Sequence, residues 1–173
     1  MTGSAKRSVS IRALSLTDLD AYRALRLTAL RSNPDAFGAS EQEDALMSDA
    51  EMARRVVPET PELSLGAFAS DTLVGMAAYV PNPRLKMRHK AMMVAVFVAP
   101  EMRGARVGRA LVEAIIAHAR MQRVILQCTV AAHNEAARML YHALGFEPYG
   151  LEKNALQVDG HFIDEELLAI DLR

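Results

Sequence analysis

The sequence has no tryptophan, a single cysteine (Cys128) and few aromatic residues of any kind, which together make up 5%. One thiol excludes an internal disulfide and any zinc site built on several cysteines. No apolar run is long enough for a membrane helix. The longest uncharged apolar stretch, Ala91 to Ala99, falls far short of the ~20 residues that a span requires. Residues Met1 to Ser10 lack the apolar centre of a signal segment. Lysine is scarce beside arginine, yet 20 basic residues face 21 acidic ones for a net charge of −1. No global basic field therefore advertises nucleic acid. What is present is 51% hydrophobic and 24% charged over 173 residues, enough for one ordinary domain with its own core. The reading is a reduced, soluble, cytoplasmic protein, with 1–8 as a flexible polar tail and 9–173 as a single domain.

Periodicity predicts alternating strands and helices. Val9 to Leu14 reads as a strand. Thr17 opens a helix with Asp18 and Asp20 in its first turn, where the dipole favours acids, and Asn33-Pro34 closes it. Ser48 with Glu51 forms a capping box for a helix from Asp49 to Val57. Leu63 to Ala69 and Leu73 to Val80 flank Ser70-Asp71-Thr72 as a hairpin, and Ala91 to Val98 is a third apolar run. Val107, Ala110, Leu111, Ala114, Ile115 and Ala117 recur at helical spacing. Val124 to Val130 is a strand, and Asn134 to Leu144 a helix closed by Gly145. Phe146 to Leu156 and His161 to Leu172 pair across Asp159-Gly160. The order β-α-α-β-β-β-α-β-α-β-β describes an α/β domain around a mixed, mainly antiparallel sheet.

Two segments carry chemistry. In the first, Val96-Phe97-Val98-Ala99-Pro100 runs into Arg103-Gly104-Ala105-Arg106-Val107-Gly108-Arg109. A strand enters a basic, glycine-containing turn and then a helix, whose free N–H groups and dipole favour an anion. Gly104 and Gly108 admit a phosphate close to the backbone. The turn is neither a Walker A loop nor a dinucleotide fingerprint. The second segment holds Asn134, Ala137 and Tyr141. Asn134 and Tyr141 are nearly two helical turns apart and share a face, ~10 Å apart along the axis. Ala136, Leu140, Ala143 and Leu144 form a largely separate apolar stripe. An Asn, an Ala and a Tyr in a row can line a groove for an extended ligand, but taken alone this spacing favours a capping Asn and a half-buried Tyr.

Together the two segments resemble the GNAT superfamily of acyl-CoA-dependent N-acyltransferases. The cofactor signature Arg/Gln-x-x-Gly-x-Gly/Ala is similar to Arg103-Gly104-Ala105-Arg106-Val107-Gly108, with Arg106 at the position of the expected second glycine. The later pattern Asn-x-x-Ala-x-x-x-Tyr-x-x-x-Gly-Phe is met at Asn134, Ala137, Tyr141, Gly145 and Phe146. The resemblance extends from Ile11 to Leu172, and the connection Met121-Gln122-Arg123 is shorter than the family's usual one.

The resemblance implies a GNAT fold with about four helices flanking the sheet, and acetyl-CoA as co-substrate without a metal. It implies that two strands splay to admit pantetheine. Val96 and Val98 then offer backbone groups, and Arg103, Gly104, Ala105, Arg106, Val107, Gly108 and Arg109 cradle the pyrophosphate. Asn134, Ala137 and Tyr141 line the cofactor's other side. The Val98 N–H serves as donor to the thioester carbonyl, and Tyr141 as general acid to the leaving thiolate, a phenol near ~10 matched to a thiol near ~8.5. An amine accepts the acetyl group, on a small molecule or an exposed protein group. No base stands out, and Glu41, Glu43 and Asp44 read as solvated carboxylates. Cys128 reads as a small buried hydrophobe. For Arg106 the favoured expectation is a helical backbone with negative φ and a guanidinium free to meet phosphate. The implied partners are acetyl-CoA and the amine, with no nucleic acid and no membrane, and with room for a homodimer. The alternative is a degenerate GNAT domain that holds acyl-CoA as a sensor without catalysis. A third reading, a nucleic-acid binder using the strip Arg84 to Arg109, is weaker, because the strip lacks stacking aromatics beyond Phe97.

Overall fold

The computed structural model describes residues 8–173. The tail expected over 1–8 therefore lies outside the described residues except for Ser8, which is exposed. The strands are β1 (Val9–Ala13), β2 (Leu63–Ala69), β3 (Thr72–Pro81), β4 (Lys90–Val98), β5 (Ile125–Ala131), β6 (Glu147–Val158) and β7 (His161–Asp171). The helices are α1 (Leu19–Ser32), α2 (Glu41–Ala45), α3 (Asp49–Val56), α4 (Val107–Gln122) and α5 (Glu135–Ala143). The strands form one sheet in the order β1-β2-β3-β4-β5-β7-β6. Only β4 and β5 run parallel; the connection between them passes through α4, because parallel neighbours need a crossover.

Both faces of the sheet are covered at its centre, so β2 and β3 are buried almost throughout and read as continuous apolar runs. Alternation along β3 assigns its faces. Gly75 lies where a Cβ would meet Leu111 of α4 at 3.0 Å, and the Tyr79 ring meets the His118 ring of α4 edge-on, 4.8 Å between centroids. The other face bears Ala78 and Val80, which border a cavity together with Tyr22 and Arg26 of α1.

The entry into α1 differs from the expectation that Thr17 caps it. The chain first makes a 3-10 turn over Leu16–Asp18, and the Asp18 carboxylate reaches back to accept from the Ser15 backbone N–H at 2.8 Å and from Arg12 at 2.7 Å. A carboxylate reaches a neighbouring backbone donor more readily than the Thr17 hydroxyl does here, so the first turn tightens. The capping box of α3 forms as read, with the Ser48 N–H donating to Glu51 at 2.9 Å and the Glu51 N–H donating to Ser48 Oγ at 3.3 Å. The short α2 carries its own box between Ser40 and Glu43.

Helices α1, α2 and α3 are tied together by a charge that the sequence reading places in solvent. Asp44 is 1% exposed. It accepts from Arg26 Nε at 2.7 Å and from Arg55 Nη1 at 3.0 Å to each oxygen. A carboxylate so deeply buried persists only when paired and hydrogen-bonded. Glu41 and Glu43 are spent differently, Glu41 on an ion pair with Arg31 and Glu43 on the cap of α2. Asp44→Ala leaves two guanidiniums facing each other without their anion. Removing one partner of such a pair costs about 3–5 kcal/mol, and we expect urea or thermal melts of Asp44→Ala to show a loss of that size.

Candidate functional site

The sheet parts between β4 and β5. Their ladder covers only Lys90 to Met92 against Ile125 to Gln127. Beyond it, Ala95 takes φ 56°, and the β3–β4 register shifts between Met76 and Ala78. Such a bulge bends the strand away from its neighbour. The Ala99 N–H donates to the Val74 carbonyl at 2.8 Å, which makes the next pair, Val98 with Gly75, the non-hydrogen-bonded kind. The Val98 and Val96 backbone groups therefore point away from β3, into the gap where β5 has withdrawn.

That gap is one wall of a cleft of about 760 Å³. Its second wall is the turn before α4. Gly104 (φ 80°) and Arg106 (φ 61°) both adopt left-handed backbone there. The first intrahelical bond is Ala110 N–H to the Arg106 carbonyl at 3.1 Å, so the N–H groups of Val107, Gly108 and Arg109 precede the ladder and face an anion site. A Cβ on Gly108 would sit 3.6 Å from Val98 and 3.7 Å from Leu140, ordinary contact. Packing within the protein thus does not demand this glycine, and the space it frees belongs to the cleft. Arg103 donates to Asn33 at 3.2 Å, and Arg109 pairs with Glu113 at 2.8 Å.

The third wall is α5. The Asn134 side chain caps it, accepting from the Ala137 N–H at 3.2 Å. Ala137 and Tyr141 follow on the same face and border the cleft. The separate apolar stripe expected on α5 does not form: Ala136 and Ala143 are exposed, and Leu140 packs toward the core beside Ala137 and Tyr141. The reason is that α5 packs by its cleft-facing side, so the motif residues and the apolar contacts coincide. Tyr141 is 7% exposed, and its ring tilts against Phe146, 5.7 Å between centroids. Among the described residues its hydroxyl has no protein partner, yet no fully buried side-chain nitrogen or oxygen is without one. The hydroxyl therefore opens onto the cleft. Burial, with a smaller contribution from Cys128, holds this phenol well above its ordinary value. Cys128 itself is 2% exposed, and burial with the Glu166 charge pushes its thiol up to about 12, so it stays a protonated packing residue.

Of the residues that the sequence assigned to the cofactor, all but Ala105 border this cleft; Ala105 sits in the turn with its N–H donating to the Met102 carbonyl at 3.3 Å. Arg106 departs from expectation. Its φ is positive, not helical, because the residue is the cap from which α4 starts and inherits the left-handed turn that a glycine would take without strain. The cost is roughly 1 kcal/mol or more. The turn keeps its shape nonetheless, and Arg106 borders the open cleft.

A second cavity of about 370 Å³ continues from the first, sharing Ala36, Phe37 and Val96 as its border. Tyr22, Arg26, Arg55, Glu62, Thr129 and Glu165 supply its polar wall. Burial raises the Glu165 carboxyl, the Thr129 hydroxyl works against this, and the Glu152 charge adds to it. None of these residues lies in either sequence motif. The signals were faint: an Arg on a helix that otherwise reads as amphipathic, and a Glu in an alternating strand. His133 is held by Asp35 at 2.5 Å and His142 lies beside Glu166 at 3.5 Å, and neither lines the second cavity.

Residues 23–146 match the model of the Acetyltransferase (GNAT) family. No curated protein matches the chain. Among solved structures it is similar to a GNAT-family acetyltransferase from Streptococcus pneumoniae, with 22% identity and a TM-score of 0.84 over 96% of this chain and 100% of that one. It is similar to the ribosomal-protein-alanine N-acetyltransferase from Brucella melitensis, with 26% identity and a TM-score of 0.78 over 94% and 99% of the two chains. It also resembles a Salmonella typhimurium protein solved with its cofactor acetyl-CoA, with 19% identity and a TM-score of 0.81 over 96% and 95%.

The left-handed Arg106 separates two substitutions. Glycine relieves the Cβ clash and alanine retains it. We expect Arg106→Gly to be more stable than Arg106→Ala by about 1 kcal/mol in thermal melts, although alanine is the better helix former. Equal stability would show that the turn relaxes without strain.

Proposed function

Because the chain belongs to the acetyltransferase (GNAT) family, we propose that it moves an acetyl group from acetyl-CoA directly to a primary amine, with Tyr141 as general acid and the Val98 N–H as carbonyl donor. The observation that carries this reading is the junction of the two cavities at Val96, beside a strand edge left unpaired. The long cleft suits an extended thioester cofactor. The smaller cavity beyond it suits the acceptor.

The chemistry follows from the groups at that junction. The amine nitrogen forms a bond to the thioester carbonyl carbon, and negative charge collects on the carbonyl oxygen. A backbone N–H fixed at the parted edge stabilises that charge without reorganising. The carbon–sulfur bond then breaks, and the thiolate takes a proton from the Tyr141 hydroxyl. Burial keeps this phenol protonated until that moment. The same desolvated surroundings raise the affinity of the thiolate for a proton, which restores the match between the two groups.

Arg103, Gly104, Arg106, Val107, Gly108 and Arg109 would receive the pyrophosphate, by the free N–H groups at the start of α4 and by arginine charge. Asn134 and Ala137 would flank the pantetheine arm opposite β4. Ala105 would hold the turn through its backbone. Arg106 would add charge from a strained backbone, so its substitution should lower acetyl-CoA affinity and flatten its salt dependence.

Two measurements check the reading. Acetyl-CoA at ~100 times its Kd should raise folding stability by roughly 2.7 kcal/mol; no thermal shift at millimolar acetyl-CoA would remove the basis of the proposal. Tyr141→Phe keeps the ring and removes the proton. We expect kcat to fall by about 10²-fold or more while acetyl-CoA binding stays close to wild type. Acetyl-CoA binding without thiol release toward any amine would favour the non-catalytic sensor instead.

A further inference from the structure

We propose that the acceptor is a free amino acid or a close analogue, a small zwitterion whose carboxylate docks on Arg26 and Arg55 and whose amino group faces Glu165. The assignment rests on the acetyl-transfer reading and names the substrate class of its second cavity.

Arg26 carries the argument. It is 7% exposed and borders the second cavity. Its Nε is committed to Asp44, and its guanidinium lies 5.1 Å from the Phe37 ring centroid. Its two terminal nitrogens have no acceptor among the described residues. Since no fully buried side-chain nitrogen lacks a partner, those nitrogens reach the cavity surface. A guanidinium held this deep with donors unspent is a built receptor for an oxyanion, because its planar fork matches a carboxylate in a bidentate pair. Arg55 borders the same cavity; its bonds to Asp44 use Nη1 alone, which leaves Nε and Nη2 to a ligand. The Tyr22 hydroxyl is likewise without a partner and on the cavity wall.

The charge count selects the anion. Asp44 answers one of the two guanidiniums and leaves one positive charge. A monoanionic carboxylate balances it, whereas a phosphate dianion exceeds it. The remaining carboxylates on the wall, Glu62 and Glu165, then suit an ammonium. Glu165 is the better base, because burial holds its carboxyl above the ordinary value. A plain alkylamine leaves the arginine donors desolvated and unmatched, a loss that hydrogen-bonding pockets turn into strong discrimination. The α-amine of a protein has no adjacent free carboxylate and suffers the same loss. Val80, Met92, Met93 and Val94 on the same wall provide for an apolar side chain, and about 370 Å³ is in the range of small-ligand sites.

The ammonium gives one proton to Glu165, and the neutral amine attacks the thioester carbonyl. The carbon–sulfur bond breaks, and the second proton on nitrogen is lost as the amide forms. Tyr141 protonates the thiolate. Of the two protons that leave the nitrogen, one restores the Tyr141 hydroxyl and the other is released to solvent as Glu165 returns to the carboxylate, so the net products are an N-acetyl amino acid, CoA thiol and one proton.

The test compares leucine, leucinamide and 3-methylbutylamine, and phenylalanine with its amide and 2-phenylethylamine, in a thiol-release assay with acetyl-CoA. The amides keep an α-amine and are easier to deprotonate, so they control for amine basicity. We expect kcat/KM for the amino acids to exceed that for either analogue by about 10²-fold or more. In Arg55→Gln, which keeps the Arg26–Asp44 pair, and in Arg26→Lys, which keeps the charge and loses the fork, that ratio should drop at least tenfold, chiefly through KM. Equal or better turnover of the amides or alkylamines overturns the assignment and leaves acetyl transfer standing. An unchanged ratio in a folded Arg55→Gln also overturns it. If calorimetry on the CoA-loaded protein detects none of the amino acids, the assignment fails whatever the assay reads. Absence of both acetyl-CoA binding and turnover overturns acetyl transfer itself, and this assignment with it.

Discussion

Strands β4 and β5 share a ladder from Lys90 to Met92 and then separate, and the site is organised around that separation. A parallel pair in mid-sheet ordinarily satisfies every backbone group along its length. Here the bulge at Ala95 turns β4 aside, and the Val96 and Val98 amides are left at an internal edge. The molecule tolerates this because the flanks are strongly held. On one side β3 pairs with β4 from Gly75 to Pro81; on the other β7 pairs with β5 from Ile125 to Ala131. The gap is therefore bounded by two long antiparallel ladders, one of them bulged at Ala95.

Charge is placed with the same economy on the two sides of the gap. Along the first cleft the positive groups surround a helix start and border open space. Around the second cavity Arg26 is buried, Arg55 is partly exposed, and both are oriented by Asp44. A buried carboxylate between two guanidiniums contributes little net stability compared with an apolar packing of equal volume. Its effect is geometric: it holds both forks in place while leaving donors free. Fold and recognition thus draw on one cluster, which joins α1, α2 and α3 and borders the second cavity.

Arg106 shows how a local departure is absorbed. The turn before α4 needs left-handed backbone, and arginine adopts it at a cost of roughly 1 kcal/mol. The flanking bonds from Met102 to Ala105 and from Arg106 to Ala110 keep the turn intact, so the strain stays at one residue while its side chain adds charge to the cleft.

Much of this was legible in the sequence. Periods of two and of 3.6 located the strands and the long helices, since each element must bury one face or both. The basic turn and the Asn134–Tyr141 face marked two walls of the first cleft, because a helix start and a continuous helix face are local properties. Other features were decided only by tertiary structure. The burial of Asp44 depends on Arg26 and Arg55, which are 18 and 11 residues away and meet it only when three helices pack. The backbone sign of Arg106 depends on how the strand must turn into α4, which the residue's own preference opposes. The second cavity draws Tyr22, Glu62, Thr129 and Glu165 from separate parts of the chain, none with a spacing pattern to connect them. Local periodicity determines which faces are apolar. Which charged side chains face one another across a cavity is set by long-range packing, and no stretch of the sequence contains it.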